Sequence, residues 1–160
     1  MSSLTSFLAR LRDRTLRRRK VAPKAKALLW DDSGAILLIK HPLETQWRLP
    51  GGFAAVDESV YDAVLRTIRE LTGLQAINPI PIARVDESQF RPDAMYGDFF
   101  QMYATLFLVT RWEGDLRPVD INWGVRFFPG DRMPPNLHDE VSHALKALRA
   151  FEKTGMMQTY

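Results

Sequence analysis

A chain of 160 residues and 18.4 kDa fits one domain around one hydrophobic core, and its 46% hydrophobic and 26% charged residues exclude a disordered or collagen-like protein. No apolar run approaches the ~20 residues of a bilayer-spanning helix, and the lack of cysteine excludes disulfides, thiolate metal sites and a cysteine nucleophile, so a soluble protein of the cytoplasm is expected. The formal charge of +3 hides an asymmetry: residues 1–20 carry seven Arg or Lys against Asp13 alone, whereas residues 21–160 carry fifteen against eighteen acids.

Leu4, Phe7, Leu8, Leu11 and Thr15 recur at helical spacing among six arginines, which predicts an amphipathic helix over residues 3–18. This basic arm, residues 1–22, precedes a domain over residues 23–160. Packing of its apolar stripe on the domain, or in a homodimer, is favoured over contact with RNA or an anionic membrane. Two short apolar segments, 24–30 and 35–40, flank Asp31-Asp32-Ser33-Gly34 and predict strand, turn, strand. Trp47-Arg48-Leu49-Pro50 then leads into Gly51 and Gly52, where backbone free of Cβ atoms can bend sharply or approach a ligand. Asp57 or Ser59 is placed to cap a helix that runs to about Thr72 and stops at Gly73.

Residues 77–85 read as a strand made irregular, or an edge, by Pro79 and Pro81. Residues 99–109 contain no charge and are largely apolar on both faces, as expected of a central strand covered by helices on each side. A last strand is predicted over 125–128. Pro134-Pro135-Asn136 precedes a terminal helix from Leu137 to about Lys153, with Asn136 as its cap. The sum is an α/β layered domain.

On a helical wheel, Val60, Tyr61, Val64, Leu65, Ile68 and Leu71 cluster on one arc and Glu58, Asp62, Arg66, Arg69 and Glu70 on the other. The polar face opens directly after the Gly-Gly bend, so carboxylates, a guanidinium and backbone amides converge at one helix start. An ion-pair ladder in solvent is the plain alternative for the same face.

The spacing goes further. Gly52, Glu58, Arg66, Thr67, Ile68, Glu70, Leu71, Gly73 and Leu74 resemble the box of the Nudix hydrolase family: Gly, five residues, Glu, seven residues, Arg-Glu-U-any-Glu-Glu-any-Gly-U, where U is aliphatic. Seven of these nine positions match. Five of the matches are Gly or charged identities, and at roughly 5–7% usage each they would coincide about once in a million frames.

The resemblance, MutT-like in kind, implies a Nudix-type α/β/α sandwich with a mixed sheet. It also implies hydrolysis of the diphosphate linkage of a nucleoside diphosphate derivative, assisted by Mg²⁺ or Mn²⁺. Of the three acids the family's box helix supplies, only Glu70 is present; Thr67 offers a hydroxyl and Leu71 nothing, which implies a reduced, weakly bound metal set. The implied metal ligands are Glu70 and the Gly51 carbonyl, and the catalytic candidates are Glu70, Arg66 and the loop acid Asp120. Arg48, Gly51, Gly52 and Asn136 are the candidate substrate contacts, and Glu58 and Gly73 hold structural places in the box. Asp139 and Glu140 sit in the first turn of the terminal helix, where acids often serve only the macrodipole. His138 and His143 are five apart and do not form a two-histidine zinc pair. The competing reading is a nucleotide-binding or regulatory module that keeps the fold and has lost turnover.

Overall fold

Among the residues that the computed structural model describes, 20–87 and 100–160, the chain forms nine strands and two helices. In order these are β1 (Lys20–Leu29), β2 (Ile36–Lys40), β3 (Gly51–Phe53), α1 (Val60–Thr72), β4 (Gln75–Ala76), β5 (Ile80–Asp86), β6 (Phe100–Val109), β7 (Trp112–Glu113), β8 (Gly124–Phe128), α2 (Asp139–Thr154) and β9 (Gln158–Thr159). The amphipathic segment expected over residues 3–18 lies outside the described residues.

The main sheet has the order β3-β1-β6-β5-β9 and is mixed: β1 and β6 are parallel, β3 is antiparallel to β1, β5 is antiparallel to β6, and β9 is parallel to β5. The chargeless run is its central strand. Alternation along β6 sends Leu106 into the core shared with α2, and Phe107 and Val109 into the core shared with α1. Along β1, Ala25, Ala27 and Leu29 face α1 while Leu28 faces α2. Each face is closed by one helix: Ala63, Val64 and Ile68 of α1 on one side, Val141, Ala144, Ala147 and Leu148 of α2 on the other. A sheet apolar on both faces is stable only when covered twice, which is the sandwich expected from the sequence. Among the described residues no helix is long and apolar enough to cross a membrane.

Four local expectations are refined. The turn at Asp31–Gly34 forms, with the Asp31 carboxylate accepting from Ser33 and Ala35 amides, but the flanking strands touch only at the Trp30–Ile36 bridge. Beyond it β1 joins the main sheet and β2 pairs with β8, because each strand finds a longer partner elsewhere. Strand β1 also begins at Lys20 rather than Lys24 and contains Pro23, whose carbonyl accepts from the Ala54 amide at 3.0 Å. The stretch 77–85 divides at Asn78, which has φ 50°, into β4 and β5; β5 carries a register shift between Pro81 and Ala83 and is flanked by β6 and β9. The terminal helix starts at Asp139, capped by His138, whose Nδ1 accepts from the Glu140 amide at 3.2 Å; Asn136 is not its cap.

Candidate active site

Helix α1 is set by its two ends. The Ser59 hydroxyl accepts from the Asp62 amide at 3.0 Å, and Gly73 closes the helix at φ 76°, a left-handed conformation that favours glycine. Asp57 is not the cap; it has φ 64° in the turn before it. The caps place Arg66 between two acids. Its Nε and Nη2 donate to the two Glu58 oxygens at 2.7 and 2.9 Å, Nη2 also donates to the Phe53 carbonyl at 3.0 Å, and Nη1 donates to Glu70 at 3.0 Å. Glu58 in turn accepts from the Ala55 amide at 2.7 Å, so the loop after β3 is strapped to the helix.

This bidentate geometry holds Glu58 ionised: the Arg66 hydrogen bonds, followed by the Ala55 amide, pull its pKa from 4.5 down to about 2. Hydrogen bonding to Glu58 likewise raises that of Arg66. A carboxylate whose folded pKa is depressed adds stability that is fully present above its unfolded value and is lost as pH falls through the folded one. Urea unfolding should therefore show the wild type losing an increment between pH 4.5 and about 2 that a Glu58→Gln variant lacks. Parallel pH profiles for the two proteins would contradict the brace.

Gly51 and Gly52 lie where no side chain fits. A Cβ on Gly51 would overlap the Ala25 carbonyl oxygen of β1, and one on Gly52 would lie 2.9 Å from Thr67 Cγ2. That second contact decides the fate of Thr67, which is buried beneath the Gly52 backbone with its hydroxyl donating to the Ala63 carbonyl at 2.8 Å. The hydroxyl that the sequence offered at this position is spent on a helix back-bond. Leu71 has no donor atom. Glu70, with a side chain 54% exposed, is the one carboxylate left of the three box-helix positions, and its Oε2 is shared with Arg66. This donor set does not fit a cluster of metal ions, and among the described residues no group of three or more His, Asp or Glu is disposed around a cation site.

The remaining expected residues divide between the site and its scaffold. Arg117 donates its amide to the Thr72 carbonyl at 2.7 Å, and Gly73 packs on the Asp115 carbonyl, so the segment leading to Asp120 is tied to the last turn of α1, the turn that carries Glu70. The Asp120 carboxylate accepts from the Asn122 amide and side chain at 2.9 and 3.0 Å. Arg48 pairs with Glu44 at 2.9 Å, while its backbone bridges to Ile39. Asn136 contributes its carbonyl, which accepts from the Trp47 amide at 2.8 Å and anchors the strap entering Gly51.

Sequence reasoning missed a second set of charges on the α2 face of the sheet. Lys24 donates to Glu87 at 2.7 Å, Lys26 donates to Glu140 at 2.7 Å, and Lys26 lies 3.7 Å from the other Glu87 oxygen. Glu140 also accepts from the Leu49 amide at 2.9 Å, joining α2 to the strap before the glycines. Burial opposes ionisation of Glu140, but Lys26 and these hydrogen bonds outweigh it and leave its pKa lowered. Lys24 is also lowered, chiefly by burial and then by Lys26. The available signal was the alternation of β1, which brings residues 24 and 26 onto the face of Leu28, a core position.

A mixed sheet covered by one helix on each face, with a Gly-Gly bend feeding an Arg-braced helix, defines an α/β/α sandwich with a loop–helix site at one end of α1. The NUDIX domain model matches residues 20–151, and the chain belongs to the Nudix family. Members of that family act as pyrophosphohydrolases on nucleotide-type substrates and generally use divalent metals. The chain is 46% identical over 44 residues to the uncharacterized Nudix hydrolase YvcI of Bacillus subtilis, a match that spans 28% of each protein's length. The MutT NUDIX hydrolase of Burkholderia pseudomallei superposes with a TM-score of 0.67 at 28% identity, over 81% of this chain and 98% of that one. An ADP-ribose pyrophosphatase of Streptococcus suis shares the fold, with a TM-score of 0.60 at 23% identity over 86% and 96% of the two chains.

Proposed function

We propose that this chain hydrolyses the diphosphate linkage of a nucleoside diphosphate derivative, with Glu70 as the acidic centre and Asp120 as the second acid. The observation that carries the reading is the Glu58–Arg66–Glu70 network on an intact glycine bend in a Nudix domain. Arg66 uses its donors on Glu58, Phe53 and Glu70, so its part is to position Glu70 and the loop. Glu70 is exposed and keeps one oxygen outside that pairing, as a proton acceptor or ligand must.

A cluster of ions lacks its ligands here, but a single weakly held Mg²⁺ or Mn²⁺ suits the donors that remain, the Glu70 carboxylate and the Gly51 carbonyl. Such an ion, when bound, neutralises phosphate charge and lowers the pKa of its water. The bend at Gly51 and Gly52 leaves backbone without side chains beside the helix, which suits close approach of a phosphate. Asp120, whose carboxylate is held by its own turn, is the general base in this reading.

Phosphate release from nucleoside triphosphates, ADP-ribose, NADH and dinucleoside polyphosphates, with Mg²⁺ and Mn²⁺ in turn, tests the reading. Purified Glu70→Gln should lose activity by about 100-fold or more. Its thermal stability should stay close to wild type, because an exposed i,i+4 pair contributes only about 0.3–0.5 kcal/mol. Unchanged hydrolysis in that variant would rule out the site. Silence of the wild type over the whole panel would favour a nucleotide-binding module without turnover, the reading that buried Thr67 and apolar Leu71 support.

A further inference from the structure

Along the strap that enters the glycine bend, one backbone amide is satisfied differently from its neighbours. The Trp47 amide donates to the Asn136 carbonyl and the Arg48 amide to the Ile39 carbonyl, each at 2.8 Å and each to main chain. The buried Leu49 amide donates instead to the Glu140 side chain at 2.9 Å. Leu49 stands where the strap leaves β2, bridged at Arg48, and joins β1, whose Ala27 amide donates to the Pro50 carbonyl at 2.8 Å. At that crossing between two strands its acceptor comes from a third element, α2.

The other Glu140 oxygen closes a ring. Lys26 donates to it at 2.7 Å, and Lys26 is also the β1 residue paired in register with Gly51. The approach there is so close that a Cβ on Gly51 would lie 2.9 Å from Lys26 Cα. The circuit of Leu49, Pro50, Gly51, Lys26 and Glu140 thus grips the bend twice, by a side chain just ahead of it and by strand pairing at it. An enclosed ion pair is often no more stabilising than apolar residues of the same volume, so stability alone does not account for these charges. An apolar residue at position 140 could fill the space, but it could not accept the Leu49 N–H.

We propose that Glu140 is a positioning residue for the diphosphate site: through Leu49 and Lys26 it fixes the Gly51 carbonyl and the bare backbone of Gly51 and Gly52 in the orientation that receives phosphate. It acts through these two residues and not on the reacting atoms. The inference rests on the proposed function, because it concerns the same glycine bend.

Two double variants of the full chain separate positioning from stability. Lys26→Met with Glu140→Leu removes both charges and the acceptor for Leu49, whereas Lys26→Met with Glu140→Gln removes both charges and keeps a carbonyl oxygen for that amide. Two quantities are read on folded protein: kcat/KM on the nucleotide that the wild type cleaves fastest, and calorimetric affinity for the Mn²⁺ complex of methylenediphosphonate, a diphosphate analogue that resists hydrolysis. Both should fall about 10- to 100-fold in the leucine variant and stay within about threefold of wild type in the glutamine variant. If the leucine variant does not fold, Glu140→Asp takes its place: one methylene too short to reach Lys26 and Leu49 together, it should lower both by about fivefold or more. A folded leucine variant that matches the glutamine variant in both readouts, or unchanged values in folded Glu140→Asp, would overturn the positioning role and leave the proposed function standing. Wild-type binding without cleavage leaves the affinity ratio to decide. A wild type that neither cleaves a nucleotide nor binds the Mn²⁺ complex would overturn the proposed function, and the positioning role with it.

Discussion

Replacing Glu140 by leucine should cost the fold about 3 kcal/mol, measured by urea unfolding at neutral pH, although the residue lies in the first turn of a helix where acids are usually dispensable. Its two oxygens are both committed, one to Lys26 at 2.7 Å and one to the Leu49 amide at 2.9 Å, and the group is largely enclosed. Without it, Lys26 keeps only the more distant Glu87 carboxylate, and a backbone N–H at the entrance to the glycine bend loses its acceptor. The double variant Lys26→Met with Glu140→Leu should recover at least about half of the loss, since removing both charges removes the larger desolvation cost. A single variant within ~1 kcal/mol of wild type would show that the pair is solvated after all.

Gly51→Ala should be as damaging, at about 3 kcal/mol, and Gly52→Ala should not. The added methyl at position 51 meets backbone: it overlaps the Ala25 carbonyl oxygen and lies 2.9 Å from Lys26 Cα, in the strand that joins β3 to the central β6. Backbone in the middle of a sheet cannot move without breaking its ladder. At position 52 the obstacle is one side-chain methyl, Thr67 Cγ2, so the cost should fall nearer to ~1–2 kcal/mol. Thr67→Ser deletes that methyl and keeps the hydroxyl for Ala63, and should make Gly52→Ala nearly neutral when the two are combined. Equal destabilisation by the two glycine variants, or no rescue by Thr67→Ser, would contradict the packing described.

The same contact bears on restoring family acids to the box. Thr67 stands on the border of the polar arc by helical spacing alone, which suggests that a carboxylate would be tolerated there. Its burial beneath Gly52 makes Thr67→Glu a change inside packed structure, whereas half-buried Leu71 has more room.

What the sequence determined by itself is what neighbouring residues decide among themselves. Ser59 and Gly73 bound their helix because a cap is a contact within one turn. Arg66 finds Glu70 because they are four apart on a helix, and the chargeless run is a central strand because no other place buries both its faces. The box spacing, local in the same sense, carried the family. The tertiary structure alone decided which distant groups meet. Lys24, Lys26, Glu87 and Glu140 come from a strand, the end of another strand and a helix spread over more than a hundred residues, and they converge because β1 lies beside β6 and one strand from β5 under α2. The burial of Thr67 and the separation of β1 from β2 into different sheets have the same origin. In each case the partner is chosen by sheet order and by which backbone covers a side chain, and neither is written in the spacing of adjacent residues.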